Sequence, residues 1–359
     1  MSHIIDSIRD CKLLHSSPVQ SESAAILLRS KLAAIAQRLG FSELRRENMA
    51  LVVSEMVSNQ VKHAGGKGML QIWQQPGPVL DILSLDYGPG IVDLPLAEED
   101  GYSSVNTLGK GLGSIRRLSD QAHVYSRQES HGREKRWNGT VLLARFCPNG
   151  KQECLETEND QFRRRQKHPA LKIGLFSRSL SDDRYNGDRI YVRQDHETLR
   201  WMHLDGLGHG EPAEKATADL AGLLQHYNAP AETLAAVDRQ LHNSRGAVAI
   251  IGELGLGSRA LHILGVGDMH AHILEQDGMR SFSFAPGVLG KEHKSPEVTS
   301  VKFDQRCIAI TASDGIRRNW DEANFPGLFN LHPQLIAYVL GNIMGRISDD
   351  QSVCVASIG

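Results

Sequence analysis

The stretch Asp205–Gly210, with the sequence DGLGHG, decides how the fold of this 359-residue chain is interpreted. It follows Thr198–Leu204, in which polar and apolar residues alternate as they do in a half-buried β-strand. An aspartate at a strand end, followed at once by glycines, brings a carboxylate and backbone carbonyls to one point. A site for a hard metal ion often begins in this way, although on local grounds alone an Asp-Gly hairpin turn is the better explanation.

Three further aspartates favour the metal site over the turn. Asp188, Asp314 and Asp349 each lie at the start or end of a predicted strand. Carboxylates that converge without His or Cys companions favour Mg²⁺ or Mn²⁺. Two such ions about 4 Å apart would activate a water and polarise a phosphoryl oxygen, so the pattern predicts a hydrolytic site.

Composition limits the class of protein. The chain is long enough for two domains, and its 40% hydrophobic and 23% charged residues are those of a globular protein. A net charge of −2 argues against a general nucleic-acid surface. We find neither a secretory signal nor an apolar run of about 20 residues, and we expect a cytoplasmic protein without a membrane segment. Its 5 cysteines have no metal-ligand spacing, and a disulfide scaffold is not expected.

A change of composition divides the chain. Residues 148–167 are rich in polar residues, contain Arg163–Arg165 and show no periodicity, which is typical of a linker. We therefore predict an α+β protein with one domain at 1–147 and another at 168–359. In the first domain, apolar spacing predicts helices over about 22–39 and 43–63, and the second of these places Glu55 and Asn59 on one face.

Three signals in the first domain point to a nucleotide. They are the Glu55/Asn59 pair, the turn Asp86–Gly90 after a predicted hairpin, and the glycine-rich Leu108–Gly113 before a short helix. An amide can ligate Mg²⁺, a carboxylate can accept a proton, and a glycine-rich loop can bring N–H groups to phosphates. Each signal alone is weak, since an exposed helix face and an ordinary turn have the same appearance.

Together and in this order, the signals resemble the GHKL nucleotide-binding domain of gyrase, Hsp90, sensor histidine kinases and anti-sigma serine kinases. The likeness is greatest to the RsbT-type switch kinases. The matching stretches are Val53–Asn59, Ala64–Gly68, Leu85–Ile91, Asp100–Ser103, Leu108–Gly113 and Gly139–Thr140. The resemblance implies a Bergerat-type α/β sandwich, with helices on one face of a mixed sheet, that binds ATP and Mg²⁺.

The resemblance also implies roles for single residues. Glu55 would be the general base, Asn59 the Mg²⁺ ligand and Asp86 the partner of the adenine amino group. The nucleotide contacts would come from Gly88, Gly90, Gly109, Lys110, Gly111, Leu112, Gly113 and Thr140, with 109–113 as the phosphate lid. His63 is interpreted as a capping or packing residue, so the expected phosphate acceptor is a serine or threonine on another protein.

The second domain begins and ends with predicted strands and has paired helices between them, which predicts a sheet-on-sheet core covered by helices. With the aspartates, Leu264–Leu274 and Pro286–Gly290, it resembles the SpoIIE and RsbX-type PPM phosphatases. The resemblance implies an αββα four-layer sandwich and two Mn²⁺ or Mg²⁺ ions. The implied ligands are Asp188, Asp205, the Gly206 carbonyl, Asp314 and Asp349, with Asp205 bridging both ions as the catalytic centre.

One position departs from the wider phosphatase pattern, and the role of another stays open. Leu207 stands where a histidine acid is usual, and His209 is a possible substitute. Arg184 is equally a phosphate ligand or a plain surface arginine.

The resemblances imply a partner-switching regulator of a stressosome or sigma-factor pathway. It would be a serine/threonine kinase and an opposing phosphatase, acting on a STAS-domain protein, with an anti-sigma factor or a downstream phosphatase or cyclase regulator as further partners. In the alternative, the first domain binds a partner under nucleotide control without phosphorylating it. A third possibility makes the second domain an inactive scaffold. The sequence leaves the oligomeric state open.

Overall fold

The chain forms two compact units in a computed structural model, which describes residues 5–7, 11–94, 111–128, 136–150, 171–180, 184–195, 197–304 and 306–358. One unit takes Lys12–Arg165 and Asn324–Leu331. The other takes Met1–Cys11, Gln166–Ala323 and His332–Gly359. Among the described residues, no helix is both long and apolar enough to span a membrane.

The elements follow the chain in this order. The strands are β1 (Ile5–Ser7), β2 (Lys12–Val19), β3 (Gly68–Gln75), β4 (Val79–Asp86), β5 (Gln121–Arg127), β6 (Gly139–Phe146), β7 (Leu171–Arg178), β8 (Asp188–Gln194), β9 (Thr198–Gly206), β10 (Ala247–Gly255), β11 (Ala260–Val266), β12 (His270–Glu275), β13 (Gly278–Phe282), β14 (Thr299–Lys302), β15 (Cys307–Ala312) and β16 (Gln351–Ile358). The described helices are α1 (Ala24–Arg38), α2 (Glu43–Ala64), α3 (Gly111–Leu118), α4 (Glu211–Thr217), α5 (Ala221–His226), α6 (Pro230–Leu241) and α7 (Pro333–Met344), with a 3₁₀ turn at Leu328–Asn330.

The unit containing Lys12–Arg165 is a sheet covered by helices. Its strands lie in the order β2-β3-β4-β6-β5, and α1, α2 and α3 pack on the face that carries Ile72 and Ile82. Ser42 caps α2 by accepting a hydrogen bond from the Arg45 N–H at 3.4 Å. Gly65 ends it in the left-handed conformation, with φ of 61°, which a glycine adopts without strain. The predicted sandwich and helix boundaries are therefore confirmed.

One detail of that sheet differs from the prediction. A mixed sheet was expected, but the four described ladders are all antiparallel. The reason is local, because β3 and β4 are joined by a tight turn at Gly77, whose φ is +77°, and such hairpins pair antiparallel. The edge strand β2 was not predicted. It is short of apolar residues and contains Pro18, and proline is tolerated in a sheet mainly at an edge.

The other unit is a four-layer αββα sandwich, as predicted. One sheet has the order β1-β8-β9-β10-β11-β14 and the other the order β13-β12-β15-β16-β7. Helices α4, α5 and α6 pack on the first sheet through a cluster that includes Leu224 and Val237. On the second sheet, Gln334 of α7 donates to the Leu175 carbonyl at 2.6 Å and accepts from its N–H at 3.2 Å. Buried side chains fill the space between the two sheets.

Three local predictions need correction. The helix expected over about 213–227 is two helices, because Asp219 interrupts it with φ of 57°. Strands β12, β13 and β14 were absent from the strand assignment, since they are short and lie among Gly and charged residues. Cys11, Cys307 and Cys354 are buried free thiols, whereas Cys147 is disulfide-bonded, which its spacing did not predict.

Candidate functional sites

Helix α2 presents Glu55 and Asn59 side by side. Both are half-buried, so they do not lie on the exposed helix face that the simpler interpretation required. At the start of α3, a Cβ added to Gly111 would lie 3.3 Å from both the Oδ1 and the Nδ2 of Asn59. The absence of a side chain at Gly111 therefore brings backbone against the amide. Polar side chains and free backbone N–H groups meet here, as a phosphate and its Mg²⁺ require.

Asp86 is fixed at the end of β4. Its Oδ1 accepts hydrogen bonds from the Gly88 N–H at 2.9 Å and the Thr140 N–H at 3.1 Å. Burial raises the pKa of Asp86, against smaller effects of these two N–H groups and of His63, which lower it. Because both bonds go to Oδ1, the second oxygen has no hydrogen-bond partner among the described residues. A carboxylate held in this way can receive an amino group.

The loop after Asp86 is clamped by β5 and by the start of β6. Asn138 donates to the Gly88 carbonyl at 2.6 Å, and the Ile91 N–H donates to the Ser126 hydroxyl at 2.8 Å. Trp137 donates to the Asp86 carbonyl at 3.2 Å. We did not predict these positioning residues. Their only sequence signal is that Trp137 and Asn138 directly precede the Gly139–Thr140 motif.

The other predicted nucleotide residues divide into two groups. Gly88 and Thr140 donate to Asp86, whereas Gly90 packs against the Arg127 carbonyl and has the φ of +78° that favours glycine. Leu112 and Gly113 lie in the first turn of α3. Gly109 and Lys110 lie outside the described residues.

In the other unit, two of the predicted metal ligands face each other across one ladder. Asp188 begins β8 and Asp205 ends β9, and the register pairs them directly. Directly opposed residues of an antiparallel pair have their Cβ atoms about 5 Å apart on one face of the sheet. The two carboxylates, which are 17 residues apart in the sequence, therefore lie next to each other on one face of the sheet.

The second sheet brings Asp314 and Asp349 to one edge. Asp314 follows β15 and Asp349 precedes β16, and these strands pair antiparallel. Two hydrogen bonds tie the strand ends together, from the Ser313 N–H to the Ser352 carbonyl at 3.2 Å and from the Ser352 N–H to the Ser313 hydroxyl at 3.0 Å. The loops that carry the two aspartates are thus held at the same end of the sheet.

Glycines allow close packing beside Asp188 and Asp205. A Cβ on Gly206 would lie 2.5 Å from the Ala213 carbonyl oxygen of α4. A Cβ on Gly187 would lie 2.9 Å from the Ala213 Cβ and 3.4 Å from the Gly206 carbonyl oxygen. The Gly206 carbonyl, a predicted ligand, is therefore confined between α4 and the start of β8.

The four carboxylates disfavour each other's charge. Burial raises the pKa of Asp188 to about 7, and Asp350 and Asp314 add to the effect. Burial also raises the pKa of Asp205 well above its ordinary value, with contributions from Asp188, Asp314, Asp349 and Asp268. For Asp314 and Asp349, too, burial is the first cause of a raised pKa. Negative charge is concentrated here without enough positive charge to balance it.

These residues fit divalent cations in chemistry but are not a finished ligand cage. In favour of a cation, the buried Oδ1 of Asp188 has no hydrogen-bond partner, and oxygen-only donors are those that Mg²⁺ and Mn²⁺ prefer. Among the described residues, however, no group of three or more His, Cys, Asp or Glu side chains stands at metal-binding distance.

Two further aspartates, Asp350 and Asp268, lie near the four predicted metal ligands. Asp350 is buried and accepts from the Leu180 N–H at 2.6 Å and the Gly187 N–H at 2.7 Å, so it joins the β16 end to the segment before Asp188. Asp268 lies close enough to raise the pKa of both Asp205 and Asp314, although burial is the larger cause. We assigned Asp268 no role from the sequence. Its signal was its place inside the phosphatase-like stretch Leu264–Leu274.

Three residues that could carry positive charge near the site, Arg184, Arg346 and His209, differ in their surroundings. Arg184 lies over the ring of Tyr185 at 5.6 Å. Arg346 acts on both Asp314 and Asp349, lowering the pKa that burial raises. His209 acts on Asp349 in the same sense, whereas Leu207 is exposed. Arg346 and His209 are therefore the better placed cations.

Comparison with known proteins gives these relationships. A model of the histidine kinase-like ATPase domain matches residues 18–141. The serine/threonine-protein kinase RsbT of Bacillus subtilis (strain 168) is 34% identical over 95 residues, which are 26% of this chain and 71% of RsbT.

Two solved structures are also similar. One is RsbX in complex with magnesium, with TM-score 0.47, 18% identity and coverage of 54% of this chain and 97% of that one. The other is the PP2C phosphatase domain of Bacillus subtilis SpoIIE with a fragment of its regulatory domain, with TM-score 0.43, 14% identity and coverage of 94% of each chain. At these scores and identities, neither likeness supports a conclusion about function.

The likeness to RsbT does show a family relationship, because the identity is 34% and the match covers 71% of RsbT. It falls on the unit in which α2, the Asp86 loop and α3 form the nucleotide-like site. Through this unit, the chain belongs to the histidine kinase-like ATPase family that includes the serine/threonine-protein kinase RsbT.

Proposed function

We propose that this protein is a bifunctional regulator of a partner-switching pathway. Its first domain, with proposed limits 1–147, would phosphorylate a serine or threonine of a STAS-domain protein. Its second domain, at 168–359, would remove that phosphate with the help of divalent cations. The observation that carries the proposal is the gathering of Asp188, Asp205, Asp314 and Asp349 in one αββα unit of a chain that belongs to the RsbT family.

The kinase half is supported by the contacts of α2. Asn59, beside the backbone of Gly111, would hold Mg²⁺ and orient the phosphates of ATP. Glu55 lies one turn earlier on the same face, where it would accept the proton of the attacking hydroxyl. Asp86, with one oxygen held by two N–H groups, would receive the adenine amino group. Lys110 is proposed as a phosphate contact on sequence grounds alone.

The phosphatase half is supported by the carboxylates and their cationic neighbours. Two Mn²⁺ or Mg²⁺ ions would supply activation of water and polarisation of the phosphoryl group. Asp188, Asp205, the Gly206 carbonyl, Asp314 and Asp349 would hold these ions. Arg346 would orient the phosphoryl oxygens, and His209 would hand a proton to the leaving serine or threonine oxygen.

A phosphate-transfer assay tests both halves. The full chain is incubated with Mg²⁺, radiolabelled ATP and a STAS-domain protein that co-purifies with it. The Asp205→Ala variant should accumulate labelled STAS protein, because removal of the label is blocked, whereas Asn59→Ala should not label it. If Asp205→Ala transfers no label, the kinase half is wrong. If Asp205→Ala releases pre-loaded phosphate as fast as the wild type, the phosphatase half is wrong.

The alternative of a nucleotide-gated binding module rests on the same contacts. Asn59 would be needed to bind the nucleotide in either case, whereas Glu55 matters only if a proton is transferred. Glu55→Ala should therefore abolish labelling if the domain is a kinase. If partner regulation in cells survives Glu55→Ala and is lost in Asn59→Ala, binding and not phosphoryl transfer is the activity. Mn²⁺-dependent hydrolysis of a generic phosphoester excludes the scaffold alternative.

A further inference from the structure

A histidine lies between the two sheets of the αββα unit, where neighbouring side chains are apolar. His203 of β9 is fully buried, and its ring contacts the other sheet through both nitrogens. Nδ1 lies 2.9 Å from the Thr311 hydroxyl and Nε2 lies 2.7 Å from the Ser352 hydroxyl. A buried imidazole costs free energy unless it is hydrogen-bonded, so its place in this core calls for a reason.

The hydrogen bonds continue from His203 to a predicted metal ligand. The Ser352 hydroxyl donates to Oδ2 of Asp188 at 2.6 Å. Three strands thus take part, since His203 lies on β9, Ser352 on β16 and Asp188 on β8. The other carboxylate oxygen, Oδ1, is buried and has no partner at hydrogen-bond distance among the residues that the structure describes.

Counting protons fixes the direction of each bond. An ionised carboxylate only accepts, so the single proton of Ser352 points to Asp188. The Ser352 oxygen must then accept from Nε2–H of His203. A neutral imidazole carries one N–H, so Nδ1 is the acceptor and receives the Thr311 hydroxyl proton. Only one tautomer of His203, with the proton on Nε2, satisfies all three bonds.

We propose that Thr311, His203 and Ser352 form a relay that orients Asp188, so that it binds its cation through Oδ1 alone. The proposal rests on the proposed phosphatase function. Because Oδ2 is held by Ser352, the lone pairs of Oδ1 are the ones left for a cation beside Asp205, which the ladder pairs directly with Asp188. His203 and Ser352 are positioning residues, since they act on the cation only through Asp188. Hydrogen-bonded partners of this kind commonly tune a metal ligand.

Mn²⁺ affinity of the full chain tests the relay without requiring phosphatase activity. Calorimetric titration compares the wild type with Ser352→Ala, Ser352→Thr and the control Thr233→Val. The control removes a buried hydroxyl of α6 that bonds only to the Ala229 carbonyl of its own helix, at 3.1 Å. We expect Ser352→Ala to weaken Mn²⁺ binding about 10–100-fold. Ser352→Thr keeps the hydroxyl and should restore affinity, and Thr233→Val should leave it unchanged.

Each outcome is informative. If Ser352→Ala binds Mn²⁺ as tightly as the wild type, the relay is wrong, although the metal site stands. The same conclusion follows if Ser352→Ala and Ser352→Thr bind Mn²⁺ with equal affinity. If the wild type binds no Mn²⁺, the proposed phosphatase site is wrong, and this proposal with it.

A second measurement does not depend on the folding of any variant. ¹⁵N spectra of the histidine-labelled wild type, recorded at pH 8 with excess Mg²⁺ so that Asp188 is ionised, report which nitrogen of His203 carries the proton. A proton on Nε2 supports the relay, and a proton on Nδ1 overturns it.

Discussion

Replacing Asp350 by asparagine should loosen the segment that leads into the metal site. Asp350 is 3% exposed, and each of its oxygens accepts one backbone N–H, from Leu180 at 2.6 Å and from Gly187 at 2.7 Å. Asparagine can accept only one of these bonds, and its NH₂ group then faces the other donor. An unsatisfied buried N–H costs about 1–3 kcal/mol. For a unit of this size, a loss of about 2 kcal/mol lowers the melting temperature by roughly 6 °C.

Hydrogen–deuterium exchange and Mn²⁺ titration at pH 8 would locate the effect. In Asp350→Asn, the amides of Leu180 and Gly187 should exchange faster, and Mn²⁺ binding should weaken about tenfold, because Asp188 follows the loosened segment. Asp195→Asn is the matched control. That carboxylate accepts the N–H groups of Glu197 and Thr198 at the far end of the same two strands, at 2.9 and 2.7 Å.

The control tests the loss of a carboxylate charge away from the site. Asp195→Asn keeps both N–H bonds, because Oδ1 accepts them both, and should leave Mn²⁺ affinity unchanged. The reasoning is refuted if Asp350→Asn leaves both amides protected, or if the two variants weaken Mn²⁺ binding equally.

Three further predictions concern the same unit. Gly206→Ala should abolish Mn²⁺-dependent phosphoester hydrolysis while the unit still folds. The reason is that the new methyl group would lie 2.5 Å from the Ala213 carbonyl oxygen. Unchanged hydrolysis would contradict this packing. Arg346→Ala should raise KM for a phosphoprotein about tenfold or more through loss of a charged contact, with Arg184→Ala as the comparison variant. A larger effect of Arg184→Ala would favour Arg184 as the phosphate ligand. Burial lowers the pKa of His203 to about 3, so only the unfolded chain binds its proton between about pH 6.5 and 3. Acidification from pH 7 to 5 should therefore remove about 2 kcal/mol of unfolding free energy that His203→Gln does not lose, as urea titrations at both pH values would measure.

Most helices and strands could be predicted from the sequence, because the sequence signals that start and end them are local. The cap Ser42 and the terminator Gly65 act on residues within one or two turns, and they bound α2 as predicted. The helix Pro333–Met344 is bounded in the same way, by a proline in its first turn and by Gly345 directly after its end. Where prediction failed, the deciding contact was distant or conformational. Asp219 breaks a continuous helical pattern through its backbone alone, and β2 is a strand only because β3 lies beside it.

The candidate sites show the same division. The residue types and their places at strand ends identified Asp188, Asp205, Asp314 and Asp349. Their mutual distances depend on the ladder between β8 and β9 and on that between β15 and β16, and pairing across distant segments has no local signature. The preference for Arg346 over Arg184 likewise became visible only in three dimensions.

By itself, the sequence determined which class of chemistry to propose, because the DGLGHG turn and three other aspartates are the oxygen donors that hard cations prefer. Only the tertiary structure decided which oxygen of Asp188 is held by a hydrogen bond and which is left for the proposed cation. That choice depends on Ser352 and His203, which are polar residues inside otherwise apolar strands and carry no motif. Their role arises when two sheets pack face to face, since burial obliges each hydroxyl and ring nitrogen to find a partner across the interface.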